Sequence, residues 1–246
     1  MSAGRRLVVL RHGVTEHNLR GIWQGHLDSD LSDAGLQQAQ QAAPVVAGYA
    51  PELVVSSDLR RAAVTADTVV AALPGAAEDH SSDAVAGQAR ATRVQVRRDS
   101  RLREIHCGQW QGLETAQMMQ RYPDAQALLA SGTDFRRGVD GETYAELADR
   151  VAQAVQDVLS ELSPGATALI VTHGVVARAL VGDLLGMSRE SSWLGLSTLG
   201  NCHWAELLEA GSHWRLARWN AGAVIDPATL AAPAHVPRFG TRATAG

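Results

Sequence analysis

Cysteine is scarce in this sequence, and the two that occur, Cys107 and Cys202, stand far apart with no Cys-x-x-Cys pairing. A disulfide framework or thiolate metal site needs paired spacing, so both are read as reduced, small apolar residues of a cytoplasmic protein. Long apolar runs are missing as well. The four apolar residues after Arg5 and Arg6 are too few for a secretion signal, and nothing later approaches a membrane span. There is no excess of positive charge either: the formal net charge is −4, which argues against broad binding to nucleic acid or a membrane surface. An anionic substrate would have to be held by a local cluster of arginines. The phosphate cradles G-x-x-x-x-G-K-[ST] and G-x-G-x-x-G are absent, so nucleotide binding is unsupported. No Asp/Glu cluster at ligand spacing accompanies His12 and His17, so no metal is expected, and no cofactor is implied.

What is present is an alternation of short apolar runs and amphipathic stretches. With 246 residues, 46% of them hydrophobic, the chain can bury a sizeable core as one large α/β domain or two small ones. Leu7-Val8-Val9-Leu10, Leu53-Val54-Val55 and Ala168-Leu169-Ile170-Val171 read as buried strands, and Val94-Gln95-Val96 as a further one. Ser32 suits the N-cap of a helix carrying Leu36, Ala39, Ala43 and Val46, which Pro44 should end or kink. Helices are also predicted through Ala62–Leu73, over Glu142–Leu162 with Leu147, Val151, Val155 and Val158 on one face, and over the very apolar Val175–Leu185. Cys202–Leu208 and His213–Trp219 resemble a hairpin turned at Ala210-Gly211. Strands alternating with helices imply a single α/β domain over 1–222. The Ala/Gly/Ser/Asp-rich stretch 74–92 is expected to be a flexible insertion, and 223–246 an Ala/Pro-rich tail.

The strands end in related chemistry. The first runs into Arg11-His12-Gly13, the second into Arg60-Arg61, and the last into His173-Gly174. Parallel neighbours would bring these side chains to the carboxyl edge of one sheet, where α/β folds bind ligands. Glu104 is the obvious carboxylate to join them. His17, His26, His106, His203 and His213 are read as loop or surface histidines. Trp23 and Trp110 are as well suited to packing as to bordering a substrate.

Together these segments resemble the histidine phosphatases of the phosphoglycerate-mutase-like superfamily. The matching parts are Arg11-His12-Gly13-x-Thr15-x-x-Asn18, Gln24-Gly25 with Leu31-Ser32-x-x-Gly35, Ser56-Ser57-x-Leu59-x-Arg61-Ala62-x-x-Thr65-Ala66, Leu102-x-Glu104 with Gly108-x-Trp110-x-Gly112, and Thr172-His173-Gly174. They follow family order over residues 5 to 220. The resemblance implies a three-layer α/β/α sandwich with a mostly parallel central sheet. It implies His12 as phosphate acceptor, Arg11, Arg61 and His173 as the phosphate pocket, Glu104 as proton donor, and Asn18, Gln24 and Gly25 beside the substrate. Arg61 is preferred to Arg60 because the family's arginine directly precedes the alanine of its motif. Arg136, Arg137 and Tyr122 fall where the family inserts a substrate-covering segment.

These residue types suit the chemistry. A neutral imidazole attacks phosphorus well and leaves easily when water follows. Arginine forks stabilise the equatorial oxygens without a metal. An alkoxide leaves poorly, so Glu104 must donate a proton first and activate water second. The partner expected is a small phosphorylated metabolite, with a homodimer left open. Phosphoglycerate mutases share the first step but carry a long arginine-rich segment before the second histidine. Here that interval is rich in Ala and Gln, so a phosphatase is the reading. A mutase is the alternative, and a non-catalytic phospho-ligand binding module the remaining one. The stretch Gln24–Ser32, with an acidic Asp30 where many relatives carry proline, looks most like the actinobacterial phosphatases acting on glucosyl-3-phosphoglycerate.

Overall fold

A computed structural model describes residues 4–75 and 94–223. Strand β1 (Arg6–Arg11) leads through the one-turn helix α1 (Glu16–Leu19) to α2 (Asp33–Ala47), and β2 (Leu53–Ser56) runs into α3 (Arg60–Ala71). The short β3 (Val96–Arg98) is followed by α4 (Thr115–Arg121), α5 (Ala125–Ser131) and the long α6 (Tyr144–Glu161). Strand β4 (Thr167–Thr172) feeds α7 (Gly174–Leu184), then α8 (Arg189–Gly195) and the hairpin β5 (Trp204–Ala210), β6 (His213–Ala221).

The six strands form one sheet in the order β3-β2-β4-β1-β5-β6. The pairs β3·β2, β2·β4 and β4·β1 are parallel, and β1·β5 and β5·β6 antiparallel. Side chains alternate across the pleat. Leu7, Val9 and Ile170 pack with Leu147, Val151, Val176 and Leu180 of α6 and α7, while Val8, Leu10, Leu169 and Val171 pack with Val46, Ala62, Ala66 and Val69 of α2 and α3. Both faces of the sheet are thus covered, which is why β1 and β4 read as continuous apolar runs rather than alternating ones. The three-layer sandwich expected from the sequence is the fold.

Details depart from expectation in ways that packing explains. Helix α2 continues through Pro44 to Ala47. Pro44 and Gln40 both face solvent, so the carbonyl that loses its partner is left to water, while Ala43, Val46 and Ala47 stay buried. Strand β3 lies two residues later than predicted, pairing Val96 with Val54 at the sheet edge. The first hairpin strand likewise runs two residues later than expected, while the second starts at His213 as expected and extends two residues further, to Ala221. Helices α4, α5 and α8 were not foreseen, being seven residues each and too short for a periodic signal. Except for residues 74, 75 and 223, the expected insertion and tail lie outside the described residues.

Candidate active site

Three strand ends meet at the carboxyl edge. The His12 amide continues the ladder onto the Thr172 carbonyl (3.0 Å), and the Ser57 amide onto that of Val171 (2.9 Å). His173 is the N-cap residue of α7. The rings of His12 and His173 lie 5.1 Å apart between centroids, nearly edge to face. Gly13 lets the backbone at Gly35 approach closely here: a Cβ on it would meet the Gly35 carbonyl at 2.5 Å.

His12 is only 3% exposed. Its Nδ1 sits 2.7 Å from the Gly13 carbonyl oxygen, which can only accept, so Nδ1 carries the proton and Nε2 the lone pair. Burial, then the charges of Arg61 and Arg11, holds this imidazole well below the usual histidine range. His12 is therefore neutral at physiological pH. His173 is fully buried, its Nε2 2.9 Å from the Ser57 hydroxyl, and burial followed by Arg61 lowers its pKa well below the usual value too.

Two guanidinium groups flank this pair. Arg61, on the first turn of α3 and 1% exposed, donates to the Leu27 and Gly25 carbonyls at 2.7 and 2.8 Å. Arg11 donates to the Leu199 carbonyl at 2.5 Å. The Nε of each is buried without a partner, and neither is ion-paired with a carboxylate among the described residues. Burial lowers both pKa values, that of Arg61 to about 10, which still leaves the groups charged at neutral pH. Two adjacent cations held by carbonyl dipoles form a seat for an anion. Arg60, by contrast, points outward and pairs with Asp30 at 2.8 Å on the surface.

Glu104 closes the ring of groups. Its Oε1 accepts from the Ile105 amide (2.9 Å) and its Oε2 from the Val175 amide in the first turn of α7 (3.3 Å). Its own carbonyl is gripped by His26 Nε2 (2.8 Å) and by Arg150 (2.9 Å). Arg150 reaches up from α6 to the Arg101 and Arg103 carbonyls as well, and is paired with Glu142 at 2.7 Å. The segment carrying the carboxylate has no regular structure of its own, so this arginine and His26 supply its rigidity.

Asn18, Gln24 and Gly25 form the near rim. The Asn18 Oδ1 accepts from the Thr15 amide and the Gln24 Oε1 from the Ser29 hydroxyl, which leaves the NH₂ group of each as a donor for a ligand. Gly25 adopts a left-handed φ of 51° that aims its carbonyl at Arg61, and a Cβ there would collide with the Gln111 side chain. Arg11, His12, Asn18, Gln24, Gly25, Arg61 and Glu104 all line one cavity of about 390 Å³. His173 lies behind it. Beyond the polar end the walls are apolar, with Trp23, Leu129, Trp193 and Leu196.

Other expectations are corrected. Arg136 pairs with Glu146 outside the cavity. Arg137 is buried against the ring of Phe135 with its guanidinium 3.7 Å from Asp134, and the Tyr122 hydroxyl donates to Gln109. None of the three lines the cavity. Trp110 is core, while Trp23 does border the site. His26 is more than a loop histidine, since it positions Glu104. Arg178 was missed: it lines the cavity from the middle of an apolar helix, and a cation amid that run of apolar residues was the available signal. Among the described residues no group of three or more His, Cys, Asp or Glu side chains is placed to hold a metal ion.

Comparison with known proteins agrees with this fold. A model of the histidine phosphatase superfamily (branch 1) matches residues 7–84 and 82–222. A glucosyl-3-phosphoglycerate phosphatase of Mycolicibacterium vanbaalenii is 37% identical over 239 residues, covering 90% of this chain and 96% of that protein. One from Mycobacterium tuberculosis is 35% identical over 242 residues, covering 92% and 99%. The solved structure of a mycobacterial glucosyl-3-phosphoglycerate phosphatase complexed with VO3 superposes with a TM-score of 0.76 at 35% identity, covering 89% of this chain and all of that one. A probable phosphoglycerate mutase of Salmonella is 29% identical over 230 residues, covering 93% of this chain and 96% of that one.

Proposed function

The chain belongs to the histidine phosphatase superfamily (branch 1), and on that premise we propose that it hydrolyses glucosyl-3-phosphoglycerate, or a related sugar or glycerate phosphate, through a phosphohistidine at His12. The observation that carries this reading is a neutral imidazole with its Nε2 lone pair available beside two buried guanidiniums that have no carboxylate partner among the described residues.

The substrate's phosphoryl group sits between Arg11 and Arg61, with His173 behind. His12 Nε2 attacks phosphorus, forming the N–P bond as the P–O bond to the leaving group breaks. Glu104, protonated in this step, gives its proton to the departing alkoxide. The resulting carboxylate then takes a proton from water, whose oxygen attacks the phosphohistidine. Inorganic phosphate leaves, and His12 returns to its neutral form. Throughout, the charge on the equatorial oxygens is met by fixed guanidiniums that need no reorganisation.

We place this activity in the cytoplasm. Cys107 and Cys202 are buried free thiols, and no helix among the described residues is long and apolar enough to cross a membrane. The test is a rapid quench with ³²P-labelled substrate. Label should appear on the wild-type protein at His12 and be absent from His12→Ala and His12→Asn variants that keep the wild-type circular dichroism. Label at another residue, or turnover without any label, would sink the mechanism. Assaying 2-phosphoglycerate formation from 3-phosphoglycerate with a bisphosphate primer in the same preparation tests the mutase alternative.

A further inference from the structure

Arg178 lies in the middle of α7, in a stretch whose neighbours Val176, Ala177, Ala179, Leu180 and Val181 are all core residues. It is 7% exposed and lines the same cavity as Arg11, His12 and Arg61. A guanidinium buried there is costly unless something compensates it. The protein supplies little: one hydrogen bond to the Thr198 hydroxyl (2.8 Å) and the face of Trp193, with Cζ 4.5 Å from the ring centroid. Its Nε is buried without a partner, and among the described residues no carboxylate pairs with it. Arginines outside the cavity are treated differently, since Arg136, Arg137 and Arg189 each face an acidic side chain.

Arg178 is tied to the phosphate end of the cavity by one loop. Thr198 holds Arg178 while the next residue, Leu199, holds Arg11 through its carbonyl. The Thr198 methyl and the Arg11 Cζ lie 3.0 and 3.7 Å from the point a Cβ would occupy on Gly174. Arg11 and the Arg178–Thr198 pair therefore flank the same short stretch of wall. A phosphoryl group in the proposed site uses Arg11, Arg61 and His173, which leaves Arg178 as a surplus cation. A second phosphate would call for paired cations like those of the first. A single planar fork backed by a ring suits a planar monoanion.

We infer that Arg178 is a specificity-determining residue that receives a carboxylate carried by the substrate close to its phosphate. The inference rests on the phosphatase reading above and adds to it the reason a glycerate phosphate is chosen over a neutral polyol phosphate. A substrate lacking the carboxylate leaves Arg178 buried and unpaired, and it is rejected on that account.

The test compares 3-phospho-D-glycerate with sn-glycerol 1-phosphate, which has the same arrangement at C2 and differs only in carrying hydroxymethyl in place of the carboxylate. Each is used as a competitor of p-nitrophenyl phosphate hydrolysis, so its inhibition constant is read whether or not it is turned over. Wild type should bind 3-phosphoglycerate at least tenfold more tightly. In Arg178→Met that preference should fall fivefold or more, and Arg178→Lys should restore part of it. Thr198→Val, which removes the anchor and keeps the charge, should also lower it and serves if Arg178→Met does not fold. A wild-type preference under tenfold, or one that survives Arg178→Met with less than a fivefold fall, overturns the inference. Failure of wild type to hydrolyse p-nitrophenyl phosphate would instead overturn the phosphatase reading itself.

Discussion

Replacing Glu104 by glutamine separates the two tasks proposed for this side chain. The amide keeps the volume and can keep one acceptor for the Ile105 amide at 2.9 Å, but its NH₂ then faces the Val175 amide, which the carboxylate accepts at 3.3 Å. Setting a donor against a donor at that longer contact should cost about 1 kcal/mol. For a chain of this size that lowers the melting temperature by about 2–4 °C, so the protein stays folded. The chemical loss is larger. A positioned general acid contributes about 10²–10⁴ in rate, or roughly 3–5 kcal/mol, and glutamine has no proton to give. That loss applies to an alkyl phosphate and not to p-nitrophenyl phosphate, whose phenolate departs with little protonation. The ratio kcat/KM reports steps only through formation of the phosphohistidine, so it should drop about a hundredfold or more for 3-phosphoglycerate and only slightly for the aryl ester. Hydrolysis of the intermediate still needs a base. With the aryl ester the variant should therefore release one equivalent of p-nitrophenol per site in a burst, then turn over slowly. Equal falls in kcat/KM for both substrates, with no burst, would refute the assignment of Glu104 as proton carrier.

Arg150→Met removes the guanidinium that holds the carbonyls of Arg101, Arg103 and Glu104 and leaves Glu142 unpaired. The cost should be about 3 kcal/mol, or about 6–12 °C in melting temperature, together with a lower kcat on alkyl phosphates. A melting curve unchanged within about 2 °C would show that the loop holds itself. Acid stability offers an independent check, since burial keeps His12, His173 and His26 below their ordinary pKa values. The native state excludes protons that the unfolded chain binds near pH 6.5, so stability is complete above that pH and is lost as the pH falls below it. Each such histidine contributes a slope of up to about 1.4 kcal/mol per pH unit. Urea midpoints should fall between pH 7 and 5, and less steeply in His173→Gln. Midpoints that stay flat over that window would contradict neutral burial of these rings.

Much of this architecture could be read from the chain because it repeats along it. Strands β1 and β4 announce themselves as apolar runs that end in a histidine and a glycine, and α6 shows its buried face at Leu147, Val151, Val155 and Val158. The choice between Arg60 and Arg61 needed register. Adjacent residues on a helix point about 100° apart, so one side chain is buried beside His12 while the other meets Asp30 in solvent. What stayed hidden was whatever is set across the chain rather than along it. Glu104 sits in a segment with no period, and its carbonyl is held by residues 78 and 46 positions away, His26 and Arg150, whose own neighbourhoods give no hint of it. Arg178 shows the opposite failure. The stretch 175–181 around it is so apolar that periodicity alone assigns it to the core, and a charge in such a place invites dismissal as an exception. Physically it is the more informative residue, because burying an unpaired guanidinium lowers stability and something outside the fold has to justify it. A buried, unpaired charge inside an apolar helix next to strand-end histidines is thus better treated as half of an ion pair whose other half arrives with the substrate.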